Sequence, residues 1–488
     1  MRILRSPLIK GAVPVAAICV IAAFRVAATH SIFSPTYDEP VHVASGFQYL
    51  TEHRYTIDHS HPPFARAVFA FPLRHATLIG TDGFDRIGQL YASAGDYMTG
   101  VVASRRGNLI FFVLSIIGVA LWTAQLFGNT TAMIAAAIFS LQPPVIAHAG
   151  LATTDMPLTA AFALAMAAFQ WWLSSPTWPR TVLVLLTVGV GLATKFSFPL
   201  FFGIGAVTLM VAAKKWPLAK GVVALVGAFV IVDAIYFFTK LPLFFKGFKE
   251  LMQHNALGHD AYFLGQVRHT GWWYYFPVLV AIKTPIPMLL LSTIGAWIAC
   301  RRRHFEVVII PVLMLVSVLW SRLNLGLRHI LPLYVLMSML AAFAVVTLWT
   351  TRAKWPLAAL GAWLLVNSAL AHPDYLPWAN ALAGSHPERI ALDSNFDWGQ
   401  DDVRLRDECR RRGITALHVA LFGTADLRRI GLPPVQPIDE RGGAPGWYAI
   451  SESIVIPAQV RDPNAYRWLT ESRNFIRIGK TIRLYRVG

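Results

Sequence analysis

Long apolar runs separated by short polar turns occupy most of the chain as far as residue 371. None of them alternates apolar and polar residues with a period of two, and most approach the roughly 20 residues that an α-helix needs to cross about 30 Å of hydrocarbon. The runs lie near residues 12–29, 108–127, 131–148, 157–173, 181–196, 197–213, 220–238, 274–299, 305–320, 330–349 and 355–371. The pattern predicts a polytopic α-helical membrane protein with about 11 transmembrane helices.

The first run has two interpretations, because the basic residues Arg2, Arg5 and Lys10 would precede either a signal peptide or a retained first helix. The run is long for the apolar core of a signal peptide. No small-residue cleavage site separates it from the polar motif that follows. We expect a retained helix, with a cleaved signal peptide as the alternative.

Basic residues in the short turns predict the orientation in the membrane. They occur in alternate turns, which lie on the same side of the membrane as the N-terminus. These residues are Arg180, Lys214, Lys215, Lys220, Arg301, Arg302, Arg303, Arg352 and Lys354. The positive-inside rule makes that side cytoplasmic. We therefore expect an inner (plasma) membrane protein whose long loops 30–106 and 239–273 lie outside with the C-terminus. Arg105 and Arg106 oppose the rule, although long loops are largely exempt from it.

The composition changes after residue 371, where Arg and Asp become frequent. Short runs such as IALDSN and ALHVALFG predict strands, and DDVRLRDECRRRG predicts a helix. We expect two domains. Residues 1–371 form a transmembrane module, and residues 372–488 form a small extracytoplasmic α/β domain.

The overall composition agrees with this assignment, because 55% of the 488 residues are hydrophobic and only 14% are charged. A soluble core cannot use so much apolar surface. The net charge of +17 would also suit nucleic-acid binding, but no stripe of basic and aromatic residues marks a soluble module. Much of the positive charge lies in short loops, so we expect the lipid bilayer, and no nucleic acid, as a partner.

Three acidic residues lie at predicted outer ends of helices. Asp38 and Glu39 follow the first run in TYDEP, and Asp155 lies in a very short turn in GLATTDMPL. Each turn could simply cap a helix, since a proline follows in the first turn. However, both turns belong to the same predicted face, although more than a hundred residues separate them. A helical bundle can bring these carboxylates together.

Cationic side chains are predicted on the same face. Lys195 lies at the apex of a helical hairpin in ATKFSFPL, Arg328 and His329 lie in LGLRHILP, and Lys283 lies in AIKTPIP. Ionisable residues near a membrane are costly and usually face a polar cavity, although either lysine could instead extend to the surface. Arginine suits bidentate contact with phosphate, and lysine supplies a compact charge. We assign all four to an anion site.

His59 and His61 in HSHPPFARAV form a rigid turn rather than the i,i+4 pair of a helical zinc site. We therefore predict no metal site and no cofactor, and we assign His61 to the substrate region. A carboxylate beside a cationic site can accept a proton from a hydroxyl or amine, while the cations stabilise charge on a departing phosphate.

The ordered set of motifs resembles bacterial glycosyltransferase family 39 of the GT-C superfamily, with the protein O-mannosyltransferases and the lipid A aminoarabinose transferase. The motifs are TYDEP, HPPF, TTDMP, ATKFS, KTP, GLRHILP and DSNFDWGQD, and they extend over nearly the whole chain. The resemblance implies inverting transfer of a sugar from a polyprenyl-phosphate donor on the extracytoplasmic side. The acceptor, whether a glycolipid, a protein or a polysaccharide, stays open.

The resemblance also implies roles for the matching residues. Asp38 becomes the catalytic base, with Glu39 as its neighbour and Asp155 as the second acid. The carrier phosphate would meet three cationic positions, Lys195, Arg328 and His329. Many relatives have tyrosine at the position of His329, so the role of this residue is open.

In such relatives the tail motif closes over the outer face. Here Trp398 would stack on a sugar, while Asp397 and Gln400 would hydrogen-bond its hydroxyls. The alternative is that Asp397 caps a helix beginning near Asp401, with Trp398 packed against it.

A transporter or flippase of a lipid-linked or anionic solute is the competing function. Transporters usually place polar groups near the middle of the membrane in paired repeats. This chain shows no repeat between its halves, and its charges gather at the outer helix ends. The pattern therefore favours an enzyme. Intact acids at positions 38 and 155 also disfavour a catalytically inactive scaffold.

Overall fold

The computed structural model describes residues 8–78, 84–472 and 474–488, and the chain as far as residue 370 is predominantly helical. Its helices are α1 Leu8–Ala27, α2 Glu39–Glu52, α3 Pro63–Ala70, α4 Phe84–Ala92, α5 Tyr97–Phe127, α6 Asn129–Ser140, α7 Pro143–Ala149, α8 Asp155–Ser174, α9 Trp178–Leu192, α10 Phe198–Ala213, α11 Leu218–Ile235, α12 Leu241–Leu257, α13 Tyr275–Lys283, α14 Ile286–Arg301, α15 Glu306–Val318, α16 Leu333–Leu348 and α17 Lys354–Leu370. Each predicted apolar run coincides with one helix or a bent pair. The long loop 30–106 also contains helices, which the apolar pattern did not predict.

Among the described residues, α5, α8 and α11 are each long and apolar enough to cross a membrane alone. The pairs α6–α7 and α13–α14 meet the same criterion together, with bends of 70° and 112°. Shorter apolar helices lie at Ala12–Ala27, Pro63–Leu73, Trp178–Leu192, Phe198–Ala213, Glu306–Val318 and Leu333–Leu348. The number of helices that cross the bilayer stays a prediction.

Proline explains both bends. Pro143 and Pro144 begin α7, and Pro285 separates α13 from α14. Proline has no N–H to donate and disfavours helix in the residue before it. The apolar runs 131–148 and 274–299 are therefore each a bent pair of helices rather than one straight helix.

Small residues let the helices of the bundle pack closely. At Gly118 of α5 a Cβ atom would lie only 2.7 Å from the Cβ of Ala163 in α8, and at Gly295 of α14 it would collide with the backbone of Leu340 in α16. Such close approach of backbones is typical of membrane helices.

The two ends of the bundle differ in character. At one end, Lys215 donates to the carbonyls of Leu173 and Ser174 at the C-terminus of α8. At the other end, the N-terminus of α8 lies beside residues 30–106 and the tail, residues 372–488. We call this second end the loop face. Asp38, Asp155, Lys195 and Arg328 lie at this end.

The tail contains a five-stranded sheet, and a separate hairpin precedes it. The hairpin is β1 Ala261–Phe263 with β2 Gln266–Arg268, and the tail elements are α18 Asp402–Arg412, β3 Leu417–Ala420, α19 Leu427–Ile430, β4 Val435–Pro437, β5 Gly446–Ser451, α20 Glu452–Arg461, α21 Arg467–Thr470, β6 Phe475–Ile478 and β7 Ile482–Val487. The strand order is β4-β3-β5-β7-β6, with β3 parallel to both neighbours and the other pairs antiparallel.

Two of the tail elements were predicted. Helix α18 matches DDVRLRDECRRRG, and β3 matches the first part of ALHVALFG. The run IALDSN is not a strand, because it makes only isolated bridges, from Ala391 to Phe263 and from Asp393 to Asp397.

Candidate active site

Asp38 lies at the loop face, where α2 begins. It occupies the N-cap position, yet its side chain makes no capping hydrogen bond. Its Oδ2 instead accepts a hydrogen bond from Arg328 Nη1 at 2.6 Å. The side chain is 28% exposed. The carboxylate is therefore held by a cation and accessible from outside, so capping does not explain it.

Asp155 begins α8 and is completely buried. Its Oδ1 accepts a hydrogen bond from Lys195 Nζ, at the turn between α9 and α10. Lys195 is also buried, so it does not extend to the surface. The structure thus pairs these two side chains across 40 residues of sequence.

Arg328 connects the two acids, because its Nη1 also lies 3.9 Å from Asp155 Oδ2. The result is a row of alternating charges, Asp38, Arg328, Asp155 and Lys195, which we call the charge chain. Buried charges are tolerated when they are paired in this way. Without substrate the two carboxylates balance the two cations.

Contacts with the tail position Arg328. Its guanidinium stacks on the ring of Trp398, 4.2 Å from the ring centroid. The preceding turn is held by Asn395 Oδ1, which accepts from Leu327 N at 3.0 Å. Gly326 has φ +143°, and a Cβ atom there would collide with Ser394 Oγ. The turn therefore requires glycine.

The same tail loop holds the segment before Asp38. Tyr37 N donates to the carbonyl of Trp398 at 3.0 Å, and Ser34 N donates to the carbonyl of Gln400 at 3.0 Å. Ser34 Oγ donates to the carbonyl of Gly399 at 2.8 Å. One loop thus positions both ends of the Asp38–Arg328 ion pair.

Asp397 and Gln400, predicted to bind sugar hydroxyls, are buried in this loop. Asp397 accepts from the backbone N–H groups of Ser453 and Gly399, and burial raises its pKa to about 8. Gln400 Oε1 accepts from Trp398 N at 2.7 Å. Helix α18 begins at Asp402, so Asp397 is not its cap. These polar groups hold the loop together, and Trp398 stacks on Arg328.

Glu39 faces away from the charge chain, although it adjoins Asp38 in sequence. It is buried and accepts from Arg105 Nε at 2.8 Å and Nη2 at 2.7 Å. It also accepts from the backbone N–H groups of Thr36 and Ala152. The structure therefore gives Glu39 a structural position and explains why Arg105 opposes the positive-inside rule.

Lys283 is not part of the charge chain. Its Nζ donates to the carbonyls of Leu376 and Asn395, each at 2.7 Å, and to that of Trp378. These three acceptors use all the N–H groups of an ammonium. Lys283 therefore fastens the start of the tail to α13 and has no donor left for a phosphate.

Four buried polar atoms in or near the charge chain have no hydrogen-bond partner among the described residues. They are Arg328 Nε, Asp155 Oδ2, His329 Nε2 and His148 Nδ1. His148 was missed from sequence, because a histidine within an apolar run gives no local sign of its neighbours. Its ring lies edge-on to Trp398 at 6.2 Å. These atoms can serve a polar ligand.

His61 lies beside the charge chain in a second polar cluster. Its Nδ1 is 3.0 Å from Ser60 Oγ and 3.3 Å from Arg66 Nη2. Burial and the neighbouring Arg66 hold the pKa of His61 well below its usual value. No group of three His, Cys, Asp or Glu side chains suited to a metal occurs within residues 8–78, 84–472 and 474–488.

Comparison with known proteins identifies the class. Residues 16–251 match the family model described as dolichyl-phosphate-mannose-protein mannosyltransferase. This match covers just under half of the chain, and together with the fold it supports a multi-pass membrane glycosyltransferase of the GT-C superfamily. The resemblance inferred from the motif order is thereby confirmed for the superfamily.

The fold is similar to that of ArnT from Cupriavidus metallidurans. The TM-score is 0.54 for the apo state and 0.56 for the complex with undecaprenyl phosphate, each at 14% identity over 97% of both chains. The oligosaccharyltransferase AglB from Archaeoglobus fulgidus matches with a TM-score of 0.47 and 11% identity, over 97% of this chain and 74% of that one. No curated protein sequence matches significantly.

Proposed function

We propose that the protein transfers a sugar from a polyprenyl-phosphate donor to an acceptor on the outer face of the membrane, with inversion at the anomeric carbon. The observation that carries the proposal is the charge chain, in which the accessible carboxylate of Asp38 pairs with buried Arg328, and Asp155 links Arg328 to buried Lys195. The undecaprenyl phosphate bound to ArnT and the description of the matching family support this class of donor.

In the proposed reaction, an acceptor hydroxyl or amine attacks the anomeric carbon of the donor. The new bond forms to the acceptor atom as the bond from the anomeric carbon to the phosphate oxygen breaks. Asp38 takes the proton from the acceptor, and polyprenyl phosphate leaves as an anion. General-base assistance of this kind contributes about 10²- to 10⁴-fold to the rate.

Arg328 and Lys195 bind the phosphate in this proposal. Lys195 uses one of its three N–H groups on Asp155, and Arg328 Nε is unpartnered. Both cations therefore have N–H groups available for the phosphate while they remain paired with their carboxylates. A well-placed donor to the negative charge that develops on a leaving oxygen is worth roughly 3 kcal/mol.

The acceptor is a glycolipid, a protein or a polysaccharide that reaches the loop face. The basic turns at the other end of the bundle support a cytoplasmic position for that end and an inner-membrane location. The loop face, with the C-terminus, is then periplasmic or extracellular.

The test is incubation of purified protein with a panel of labelled polyprenyl-phosphate sugars, measuring release of polyprenyl phosphate. Asp38→Asn should reduce release at least about a hundredfold, because the amide keeps the hydrogen bond with Arg328 but cannot take the proton. Donor binding should persist.

Asp374→Asn is the matched control. Asp374 also accepts from an arginine, Arg404 Nη1, at 2.6 Å, and that arginine also stacks on an aromatic ring, Phe33, at 4.8 Å. This variant should release polyprenyl phosphate at the wild-type rate. Near-normal turnover in Asp38→Asn would remove Asp38 as the base. Transport of the intact lipid by wild type without release would favour a flippase.

A further inference from the structure

His42 lies one helical turn beyond Asp38 on α2, and its backbone N–H donates to the carbonyl of Asp38 at 3.1 Å. Residues four apart share one face of a helix, so the two side chains point to the same side. His42 is 3% exposed and is not a member of the charge chain.

Arg66 of α3 holds the ring of His42. The two helices cross so closely at Gly46 that a Cβ atom there would collide with the carbonyl of Arg66. Arg66 Nε donates to His42 Nδ1 at 3.0 Å. The other N–H groups of Arg66 are directed at Tyr55 Oη, the carbonyl and carboxylate of Asp58, and His61 Nδ1.

These contacts use all five N–H groups of the guanidinium, so Arg66 cannot turn to another partner. Arginine stays protonated and offers no acceptor atom. His42 Nδ1 must therefore accept, and the proton of the neutral ring must lie on Nε2. Among the described residues, no atom accepts a hydrogen bond from that Nε2–H group.

The ring of His42 lies beside the charge chain, because the carboxylates of Asp38 and Asp155 are both near enough for their charges to act on it. It lies edge-on to His61 at 5.0 Å, and His61 is near enough to Lys195 to be affected by its charge. A neutral N–H group cannot take the acceptor proton, which is the role of Asp38. It can donate to an oxygen lone pair.

We propose that His42 is a substrate-binding residue that donates its Nε2–H to an oxygen of the carrier phosphate, with the tautomer set by Arg66. The inference rests on the proposed function, because it requires a lipid phosphate beside Lys195. A hydrogen bond to a charged oxygen predicts about a tenfold or greater loss of affinity when the donor is removed.

Two substitutions separate this role from a structural one. The amide nitrogen of His42→Gln lies near the position of Nε2, so it keeps a donor for the phosphate. The amide oxygen of His42→Asn lies near the position of Nδ1, so it keeps an acceptor for Arg66. The probe is undecaprenyl phosphate, and its dissociation constant is measured on monodisperse protein together with the melting temperature.

We expect His42→Asn to melt near wild type but to bind undecaprenyl phosphate at least about tenfold more weakly. His42→Gln should bind within about threefold of wild type, even with a lower melting temperature. His418, stacked on Tyr448 in the tail, is the control, and His418→Asn should bind normally.

Wild-type affinity in His42→Asn would overturn this inference and leave the proposed function intact. If His42→Gln does not fold, the affinity of His42→Asn for undecaprenyl phosphate still tests the inference. Failure of the wild-type protein to bind any polyprenyl phosphate would overturn both proposals.

Discussion

Replacing Arg328 with lysine keeps a positive charge in the charge chain but removes the planar guanidinium from the ring of Trp398. Arg328 lies 2.6 Å from Asp38, 3.9 Å from Asp155 and 4.2 Å from the centroid of Trp398. A lysine ammonium can keep one ion pair. It loses the stacking, worth about 0.5–2 kcal/mol, and the Nε donor.

Arg328→Ala removes the charge as well. A charge-assisted hydrogen bond contributes about 1.5–3 kcal/mol, which corresponds to about a ten- to hundredfold loss of affinity for undecaprenyl phosphate. Arg328→Lys should recover only part of this loss, because the ammonium is a point donor without the guanidinium fork.

The assay is binding of undecaprenyl phosphate to the monodisperse fraction of each variant in detergent. Arg404→Lys is the control, because Arg404 also pairs with an aspartate and stacks on a ring but contacts no member of the charge chain. Its affinity should equal that of wild type. Equal affinities for wild type, Arg328→Lys and Arg328→Ala would refute phosphate binding by Arg328.

Further predictions concern topology and the supporting structure. A reporter that is active only outside the cytoplasm should be active after Gly488 and silent near Arg302, and the reverse would refute the orientation. Glu39→Gln breaks a buried ion pair, so it should lower the melting temperature and the yield, at a cost of about 3–5 kcal/mol; a stable but inactive Glu39→Gln protein would instead make Glu39 catalytic. Gly326→Ala should weaken donor binding by displacing the turn before Arg328, as measured in the binding assay, and unchanged affinity would contradict that geometry.

The sequence was most informative where the physical signal is local. Apolar runs report burial in lipid directly, and all the predicted runs are helical. The positions of the two helix bends could also be predicted from the sequence, since prolines at 143, 144 and 285 mark both of them. The helices within loop 30–106 could not be predicted from the sequence, because they are neither long nor apolar throughout.

For the candidate site, a shared face was enough to group Asp38, Asp155, Lys195 and Arg328, and the structure brings these four together. The partners of other polar residues depend on tertiary contacts that no motif reveals. Lys283 looks as available as Lys195 in sequence, yet three backbone carbonyls enclose it.

Glu39 shows the same limit, because its partner Arg105 lies 66 residues away. The sequence did contain one sign of this pair. Arg105 opposes the positive-inside rule, and such an arginine is explained when a buried carboxylate neutralises it. The tail loop offered no comparable sign that its polar groups bind one another.

The alternating order of the charge chain has a consequence for charge conservation during the proposed reaction. A polyprenyl-phosphate sugar is a phosphodiester with one negative charge, so with two carboxylates and two cations the loaded site has a net charge of about −1. The product phosphate is a monoester that approaches a second negative charge near neutral pH. The proton that reaches Asp38 cancels that additional charge, so the site keeps the same net charge before and after transfer. Product release then requires the site to lose both the lipid phosphate and this proton before another donor can bind.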